Sequence, residues 1–381
     1  MRVVHIIDSL AAHGAERSLL ELAPFLLERG LQYEVAFLRD PDDLAGELAG
    51  TGTRIHDLRG PDNRSEHTSR ALTLFAALRP SLVHTTLYRS DVAGRSAAHS
   101  LGIPSVTSWA STGPEHGNIL DQVKRRRTTS LDRWTAQYAN RFHAVSTAVA
   151  DTVGPRLGVH PEMIDVIPRG RDPERLGERT PMRSRACRDR LGLGQGPVVV
   201  ALARHVPAKG LDTLIDAAAV VRSSLPELTV LIAGDSGSET EALTRRIEER
   251  RLERCVQLLG RRADVGALLS AADVCAVPSR VEGFPGTVVE AMLVGTPVVA
   301  TDLPSVRAAL PDETFGWLVR PDDPLDLARS LELCLTHPTS GHDRALLARK
   351  HALQNFSMPA IADATIRFYE RSLHSSRART S

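Results

Sequence analysis

Short apolar runs alternate with amphipathic stretches along the whole chain, a pattern typical of parallel strands covered by helices. In the first half this pattern predicts strands at residues 3–7, 33–38, 54–58, 82–86, 105–109, 142–146 and 165–168. In the second half it predicts strands at residues 197–203, 228–233, 256–259, 274–277, 297–300 and 317–319. The two series therefore indicate two doubly wound α/β domains.

The segments between and after the strands set the domain limits. Residues 15–28 form an amphipathic helix that packs on a sheet, with Leu19, Leu22 and Phe25 on its apolar side and Gly30 ending it. Between residues 172 and 189 the periodic pattern gives way to Pro, Gly and mixed charge, which is typical of a linker. We place an N-terminal domain at 1–175, a linker at 176–192, a C-terminal domain at 193–355, and a helix and tail at 356–381.

Composition excludes several classes of function. The 381 residues fit two domains, and 42% hydrophobic with 24% charged residues is ordinary for a globular protein. A net charge of +1 provides no field for nucleic acid, so we expect no nucleic-acid partner. With no leader-like start and no long apolar run, we expect a cytoplasmic protein, at most peripheral on the inner face of the membrane.

The segment after the predicted strand at 274–277 carries chemistry. It contains Glu282, Gly283 and Gly286, and a helix with Glu290 follows. In open α/β sheets ligands bind beyond the carboxyl ends of the strands, where glycines allow close approach and helix-opening N–H groups bind anions. Carboxylates accept hydrogen bonds from sugar hydroxyls. Alone, Glu282 could be a solvated loop residue and Glu290 a residue favoured by the helix dipole.

Lysine is almost absent from the chain, and one of the few lysines lies, like Glu282, shortly after a predicted strand. The chain has three lysines, Lys124, Lys209 and Lys350, and 44 arginines. Lys209 follows the predicted strand at 197–203, close after Arg204. A lysine kept there indicates that a compact point charge is wanted, although a solvated lysine in a helix-opening loop is the alternative.

The string from Glu282 to Glu290, together with Arg204 and Lys209, resembles the family-4 glycosyltransferases (glycosyl transferases group 1) of the GT-B fold. The resemblance implies two Rossmann-like domains facing an interdomain cleft, with the C-terminal helix crossing back to the first domain. It also implies a retaining transferase that moves a hexosyl-type sugar from a nucleotide-diphosphate sugar to a hydroxyl acceptor. That acceptor would be a lipid-linked saccharide, a polysaccharide or a small-molecule glycoside precursor.

The resemblance assigns roles residue by residue. Arg204, Lys209 and Glu282 would be catalytic, with the two cations clamping the donor diphosphate. The donor-binding residues would be Gly14, Gly260, Arg261, Gly283, Phe284, Pro285, Gly286, Thr287 and Glu290. We expect no metal and no cofactor besides the donor, because the sequence has no convincing Asp-x-Asp loop and no histidine cluster.

The first domain departs from the family pattern. Its loop at Gly14 resembles the Gly-Gly-Ala-Glu element, but His13 replaces the first glycine. Ala110 stands where many members carry a histidine that faces the donor sugar or the acceptor, so the sugar pocket must be built differently. His13, His84 and His116 are the candidate acceptor-binding residues.

Two questions stay open on the sequence alone. The basic run Lys124, Arg125, Arg126 and Arg127 is either a solvated helix face or a contact with an anionic membrane or lipid-linked phosphate. The same donor site would also suit a nucleotide-sugar epimerase or a synthase of free disaccharides. The departure at Ala110 further leaves room for a non-catalytic nucleotide-sugar-binding protein.

Overall fold

The computed structural model describes residues 1–12, 14–110 and 119–380, with only the backbone for residues 119–127 and 375–380. It divides into two compact units. The first unit comprises Met1–Gly170 and Met358–Ser381, and the second comprises Arg171–Ser357. The first unit is thus built from two separate stretches of chain, whereas the second is continuous.

The strands are β1 (Arg2–Ile7), β2 (Gln32–Phe37), β3 (Arg54–Asp57), β4 (Leu82–Thr86), β5 (Ser105–Trp109), β6 (Arg141–Ala144), β7 (Ile164–Val166), β8 (Val198–Leu202), β9 (Thr229–Ala233), β10 (Val256–Gly260), β11 (Val274–Val277), β12 (Val298–Thr301) and β13 (Trp317–Val319). The helices are α1 (Gly14–Glu28), α2 (Ala45–Gly50), α3 (Arg64–Leu78), α4 (Tyr88–Ser100), α5 (Ile119–Ala136), α6 (Thr147–Leu157), α7 (Pro173–Leu176), α8 (Pro181–Arg190), α9 (Leu211–Ser224), α10 (Thr240–Glu249), α11 (Val265–Ala271), α12 (Gly286–Val294), α13 (Pro304–Arg307), α14 (Pro324–Thr336), α15 (Pro338–Asn355) and α16 (Met358–Thr380).

Each unit contains one parallel sheet. The first has seven strands in the order β3-β2-β1-β4-β5-β6-β7, and the second has six in the order β10-β9-β8-β11-β12-β13. The order reverses between β1 and β4 in one sheet and between β8 and β11 in the other, which is where such folds bind ligands. Every strand predicted from the apolar runs is present, so the predicted α/β class with two doubly wound sheets is confirmed.

Apolar faces of the first and last helices complete the core of the first unit. Leu19 and Leu26 of α1 are buried in the same cluster as Ile361, Phe368 and Tyr369 of α16. The predicted return of the C-terminal helix to the first domain is therefore confirmed. Since β1 and β4 lie at the centre of the sheet, these helices cover the strands that carry its polar residues.

The stretch whose composition indicates a linker contains a packed helix. Helix α8 begins after Thr180, whose side chain accepts a hydrogen bond from the Arg183 N–H, and Pro181 occupies its first turn. On its inner side Cys187 is buried against Ala267 and Ala271. A single buried face is enough to fix this helix to the second unit, although its other positions are charged or polar.

Candidate functional site

The loop between β11 and α12 lies at the carboxyl edge of the second sheet, beside the reversal of strand order. Residues 278–285 form the loop, Pro285 stands at the N-cap of α12, and Gly295 ends that helix with a φ of 89°. The strand, loop, helix and stop therefore occur where the sequence predicts them. The open N–H groups of the first turn of α12 face the region beyond the strands.

Lys209 and Glu282 form the central ion pair of this edge. The Lys209 Nζ lies 2.5 Å from Glu282 Oε1, and the Ser279 hydroxyl donates to the same oxygen at 2.8 Å. Both side chains of the pair are largely buried, with 23% of Lys209 and 12% of Glu282 exposed. Within the described residues the second oxygen, Oε2, has no hydrogen-bond partner, so it can accept a hydrogen bond from a ligand hydroxyl.

Two loops dock to make this pair. Lys209 ends a single 3₁₀ turn, and Gly210 after it has a φ of 58°. A side chain at position 210 would collide with the carbonyl of Pro278, so only glycine allows the turn to lie against the loop. The backbone N–H of Arg280 then donates to the Ala208 carbonyl at 2.9 Å.

Arg204 provides a second cation at the same edge. It follows β8, is exposed, and forms no ion pair with any residue that the structure describes. The backbone next to it is crowded, because a Cβ on Gly234 would collide with the Ala203 carbonyl. Arg204 thus stands on a fixed backbone with its guanidinium open to an anionic ligand.

Gly260 and Arg261 continue the edge at the end of β10. Gly260 has a φ of 64° and its carbonyl accepts a hydrogen bond from the Gly234 N–H at 2.9 Å. The Arg261 Nε lies 4.0 Å from Asp235 Oδ1, and both side chains are more than half exposed. Such an exposed pair contributes little to stability, so it can open for a ligand.

The second predicted carboxylate, Glu290, has a partner that the sequence reasoning missed. The Arg171 Nε lies 2.6 Å from Glu290 Oε1, and both side chains are mostly buried. The guanidinium also covers the start of α12, because a Cβ on Gly286 would lie 2.5 Å from Arg171 Nη2. Gly286 therefore makes room for Arg171 as well as opening the helix.

Two predicted donor-binding side chains are engaged inside the unit. Phe284 is buried and packs edge-on against Phe356, with ring centroids 5.6 Å apart. The Thr287 hydroxyl donates to the Leu202 carbonyl at 3.0 Å. These side chains hold the loop and helix in place, while Gly283 and Pro285 contribute backbone.

The first unit contains a cavity of about 80 Å³ between the carboxyl halves of its central strands and helices α1 and α16. Most of the wall is apolar. The polar side chains that line it are those of His5, Ser18, Tyr33, His84, Thr86, Ser108, His143, Arg169 and Thr365. The candidate acceptor residue His84 is therefore a wall residue, buried to 5% exposure.

Hydrogen bonds fix the protonation of two of these histidines. The His143 Nε2 lies 2.7 Å from the Ile167 carbonyl, which can only accept, so Nε2 carries the proton and Nδ1 accepts from the Ser108 hydroxyl at 2.6 Å. Ser108 must then accept from His84 Nε2 at 2.6 Å, and His84 Nδ1 accepts from the Tyr369 hydroxyl at 2.8 Å. Both nitrogens of His84 are occupied by protein groups in this arrangement.

Burial keeps these imidazoles neutral. It lowers the pKa of His143 to about 4, and it lowers the pKa of His84 well below its usual value. Burial also lowers the pKa of His5 to about 3, helped by the nearby His143. The His5 ring stacks on His84 with centroids 3.9 Å apart, which would bring two charges together if both were protonated.

Gly14 and Ala110 both lie near Arg169 at the cavity. The Arg169 Nη2 lies 3.5 Å from the Ala110 carbonyl, and Nη1 lies 3.1 Å from where a Cβ on Gly14 would stand. Arg169 thus reaches the region of the missing family histidine. His13, His116 and the side chains of residues 124–127 lie outside the described residues, so their predicted roles stay predictions.

The fold and this edge define a two-unit α/β protein of the GT-B type. Comparison with protein families assigns residues 12–175 to "Glycosyltransferase Family 4" and residues 196–337 to "Glycosyl transferases group 1". The chain is 32% identical over 343 residues to a D-inositol 3-phosphate glycosyltransferase of Salinispora tropica, covering 82% of this chain and 68% of the relative. The chain belongs to the family-4 glycosyltransferases, and it is a glycosyltransferase.

Other relatives agree with this assignment. A 2-deoxystreptamine glucosyltransferase of Streptomyces kanamyceticus is 27% identical over 293 residues, covering 75% of each chain. The crystal structure of Anabaena HepE in complex with UDP and glucose superposes with a TM-score of 0.84 at 25% identity, covering 97% of this chain and 100% of HepE. In the described part of the chain, no helix is long and apolar enough to cross a membrane.

Proposed function

We propose that this protein transfers a hexosyl group, with retention of configuration, from a uridine diphosphate hexose to a hydroxyl group of an acceptor. The observation that carries the proposal is the Lys209–Glu282 pair together with the exposed Arg204, which follow strands at the carboxyl edge of the second sheet. Two cations and a carboxylate oxygen that accepts no hydrogen bond from the described residues suit a ligand that combines a diphosphate with sugar hydroxyls.

The relatives support the choice of donor and acceptor. HepE is seen with UDP and glucose, and the Streptomyces enzyme is named a glucosyltransferase, so UDP-glucose is the first donor to test. The two named acceptors, 2-deoxystreptamine and D-inositol 3-phosphate, are both hydroxylated six-membered carbocycles. A cyclitol is therefore the first acceptor to test, as one form of the small-molecule glycoside precursor that the sequence suggests.

The proposed reaction exchanges one bond at the anomeric carbon. The bond between C1 of the hexose and the β-phosphate oxygen breaks, and a bond forms between C1 and the acceptor oxygen on the same face. The acceptor hydroxyl proton passes to an oxygen of the departing diphosphate, and UDP leaves. No side-chain base is required for this step.

The three residues have separate tasks in this reaction. Arg204 and Lys209 offset the negative charge that grows on the leaving diphosphate, which is stabilisation confined to the transition state. Lys209 and Ser279 hold Glu282 through one carboxylate oxygen. The other oxygen accepts a hydrogen bond from a hydroxyl of the hexose. When the diphosphate binds, Lys209 contacts two anionic partners, Glu282 and the diphosphate.

The test is incubation of the purified protein with UDP-glucose and either myo-inositol 1-phosphate, D-inositol 3-phosphate or 2-deoxystreptamine. Release of UDP with formation of an α-glucoside, read from the anomeric proton by NMR, is the expected result. A β-glucoside would overturn the retaining mechanism. Altered UDP-hexose without any acceptor would indicate an epimerase. A free disaccharide formed when a monosaccharide is supplied as the acceptor would indicate a disaccharide synthase.

Binding without chemistry is the remaining outcome. If the protein binds UDP-glucose yet neither transfers nor slowly hydrolyses the sugar across a wide panel of acceptors, it is a nucleotide-sugar-binding protein. We propose that the reaction needs no metal and no further cofactor, so added EDTA should leave the rate unchanged. A rate restored only by Mg²⁺ or Mn²⁺ would contradict this part of the proposal.

We also propose a cytoplasmic location with peripheral contact at the inner face of the membrane, through Lys124, Arg125, Arg126 and Arg127. Each basic residue near an anionic surface contributes about 1 kcal/mol. In flotation with liposomes, the protein should float with vesicles containing anionic lipid and stay behind with neutral vesicles. Equal recovery with both kinds of vesicle would exclude the contact.

A further inference from the structure

Arg171 joins the backbone at the border of the second unit to the donor edge. It is the first residue of that unit, and its N–H donates to the Phe356 carbonyl at 2.9 Å. A parallel β-bridge pairs Arg171 with Ser357, the last residue of the unit. Contacts with Phe356 and Ser357, the last two residues of the unit, therefore fix the Arg171 backbone independently of its side chain.

The side chain from this fixed point reaches Glu290. Arg171 Nε lies 2.6 Å from Glu290 Oε1, with 14% of the arginine and 18% of the glutamate side chain exposed. At this degree of burial a carboxylate without a cation would be costly to keep charged. Within the described residues the other carboxylate oxygen, Oε2, has no hydrogen-bond partner. One oxygen is thus held and one is left for a ligand.

The start of α12 is shaped around this arginine. A Cβ on Gly286 would lie 2.5 Å from Arg171 Nη2, so the guanidinium occupies space that any other residue would fill. A cation over a helix N-terminus opposes the helix dipole. The negative charge of Glu290, one turn further along α12, offsets that cost, which makes Arg171, Gly286 and Glu290 one interdependent group.

We propose that Arg171 is a positioning residue of the donor site. It anchors Oε1 of Glu290, so that Oε2 is held in place to accept a hydrogen bond from a hydroxyl of the nucleotide-sugar, on either the ribose or the hexose. The proposal rests on the proposed function in one respect, namely that a nucleotide-sugar binds at this edge of the sheet. Arg171 itself need not touch the donor.

The test measures binding by calorimetry, without turnover. We expect Arg171→Ala to weaken the binding of UDP-glucose about tenfold to a hundredfold, because a hydrogen bond to a charged group is lost or misplaced. Arg171→Lys should recover part of the affinity, since it keeps the charge but not the guanidinium geometry. If UDP loses affinity as UDP-glucose does, the hydroxyl belongs to the ribose, and if only UDP-glucose loses affinity, it belongs to the hexose.

Double variants separate positioning from general support of the fold. The double variant Arg171→Ala, Glu290→Ala should bind UDP-glucose no more weakly than Glu290→Ala alone. The reason is that each substitution removes the same interaction, the hydrogen bond from Glu290 to the ligand. The control is Arg188→Ala, which removes another arginine–carboxylate pair of the same unit, Arg188 Nη2 to Asp273 Oδ2 at 2.5 Å, with 12% of the arginine side chain exposed. We expect this control to lower the melting temperature while UDP-glucose affinity stays unchanged.

The outcomes distinguish this proposal from the proposed function. Wild-type protein that binds UDP-glucose, together with a folded Arg171→Ala or Arg171→Lys variant of unchanged affinity for both ligands, overturns this proposal alone. Fully additive losses in the double variant overturn it as well. Wild-type protein that binds no nucleotide-sugar overturns the proposed function, and the positioning role falls with it.

Discussion

The neutral histidines of the first unit should make its stability depend on pH well above the range where carboxylates titrate. The pKa of His143 is about 4 in the folded protein and near 6.5 in an unfolded chain, and the pKa of His5 is about 3. Between these values the unfolded chain binds protons that the folded protein does not. The free energy of unfolding therefore rises with pH in this window and is lost as pH falls from 6.5 towards 4.

The size of the effect is worked from His143 and His5, and the pKa of His84 is shifted in the same direction. Each contributes a slope of up to about 1.4 kcal/mol per pH unit where only the unfolded chain is protonated. From pH 6.5 to pH 4, His143 alone accounts for about 3 kcal/mol, and His5 adds a similar amount. Since a typical domain is stable by about 5–15 kcal/mol, acid should unfold the first unit early.

The measurement is urea unfolding at several pH values between 4.5 and 7.5, followed by tryptophan fluorescence. Trp109, stacked on Phe142 at 4.8 Å, and Trp134 report the first unit, and Trp317→Phe silences the second. His143→Gln in this background should reduce the slope by up to about 1.4 kcal/mol per pH unit. The difference in slope between the Trp317→Phe protein and the same protein with His143→Gln does not contain the contribution of the carboxylates, which both proteins share. This includes Asp8 and Asp91, whose pKa values burial raises. Equal slopes in both would refute the reasoning.

The donor edge gives further predictions. Lys209→Ala and Glu282→Ala should each lower kcat about 10²–10³-fold, as removal of a preorganised charge does, with unchanged circular dichroism; near-normal turnover in either would contradict the assigned roles. Gly210→Ala should lower the free energy of unfolding by about 1–3 kcal/mol, because its φ of 58° is strained for alanine and the new Cβ meets the Pro278 carbonyl. The control is Gly192→Ala, with a φ of 65° and open space around the site, which should lose only the contribution of backbone strain. Thermal unfolding of both variants measures the two losses, and equal losses would exclude the collision as the cause.

The strands and the main helices could be predicted because buried parallel strands are nearly continuous apolar runs. The loop and helix after β11 could be predicted for the same reason, and Gly295 marks the end of that helix. Helix α8 was not, since Cys187 is its one buried residue and the rest of its sequence is polar. Its local signal was Thr180 followed by Pro181, an N-cap with proline in the first turn.

The site could be predicted only as far as the resemblance to the family covered it. Lys209 and Glu282 are 73 residues apart, and their role came from the family resemblance before the structure placed them in contact. Arg171 and Glu290 are 119 residues apart and belong to no shared motif. Nothing in the sequence near Arg171 shows that its side chain crosses to α12, because the path is set by its bridge to Ser357.

The contact among three histidines could not be predicted for a related reason, although His84 alone was a candidate acceptor-binding residue. His5, His84 and His143 stand on three different strands, and each looks like a lone polar residue in an apolar run. Only the register of the sheet brings them together, with His5 opposite His84 and Ser108 opposite His143. Sequence periodicity places a side chain on a face of a strand, but it does not give the offset between strands.

The split of the first unit over two stretches of chain has a consequence for how the protein is made. Its core needs Ile361, Phe368 and Tyr369 from α16, and the Tyr369 hydroxyl donates to His84 deep in the sheet. During translation the second unit is complete once residue 357 has been added, whereas the first must wait for α16. The first unit therefore receives its last core element only after every residue of the second has been synthesised, and until then its central strands lack part of their cover.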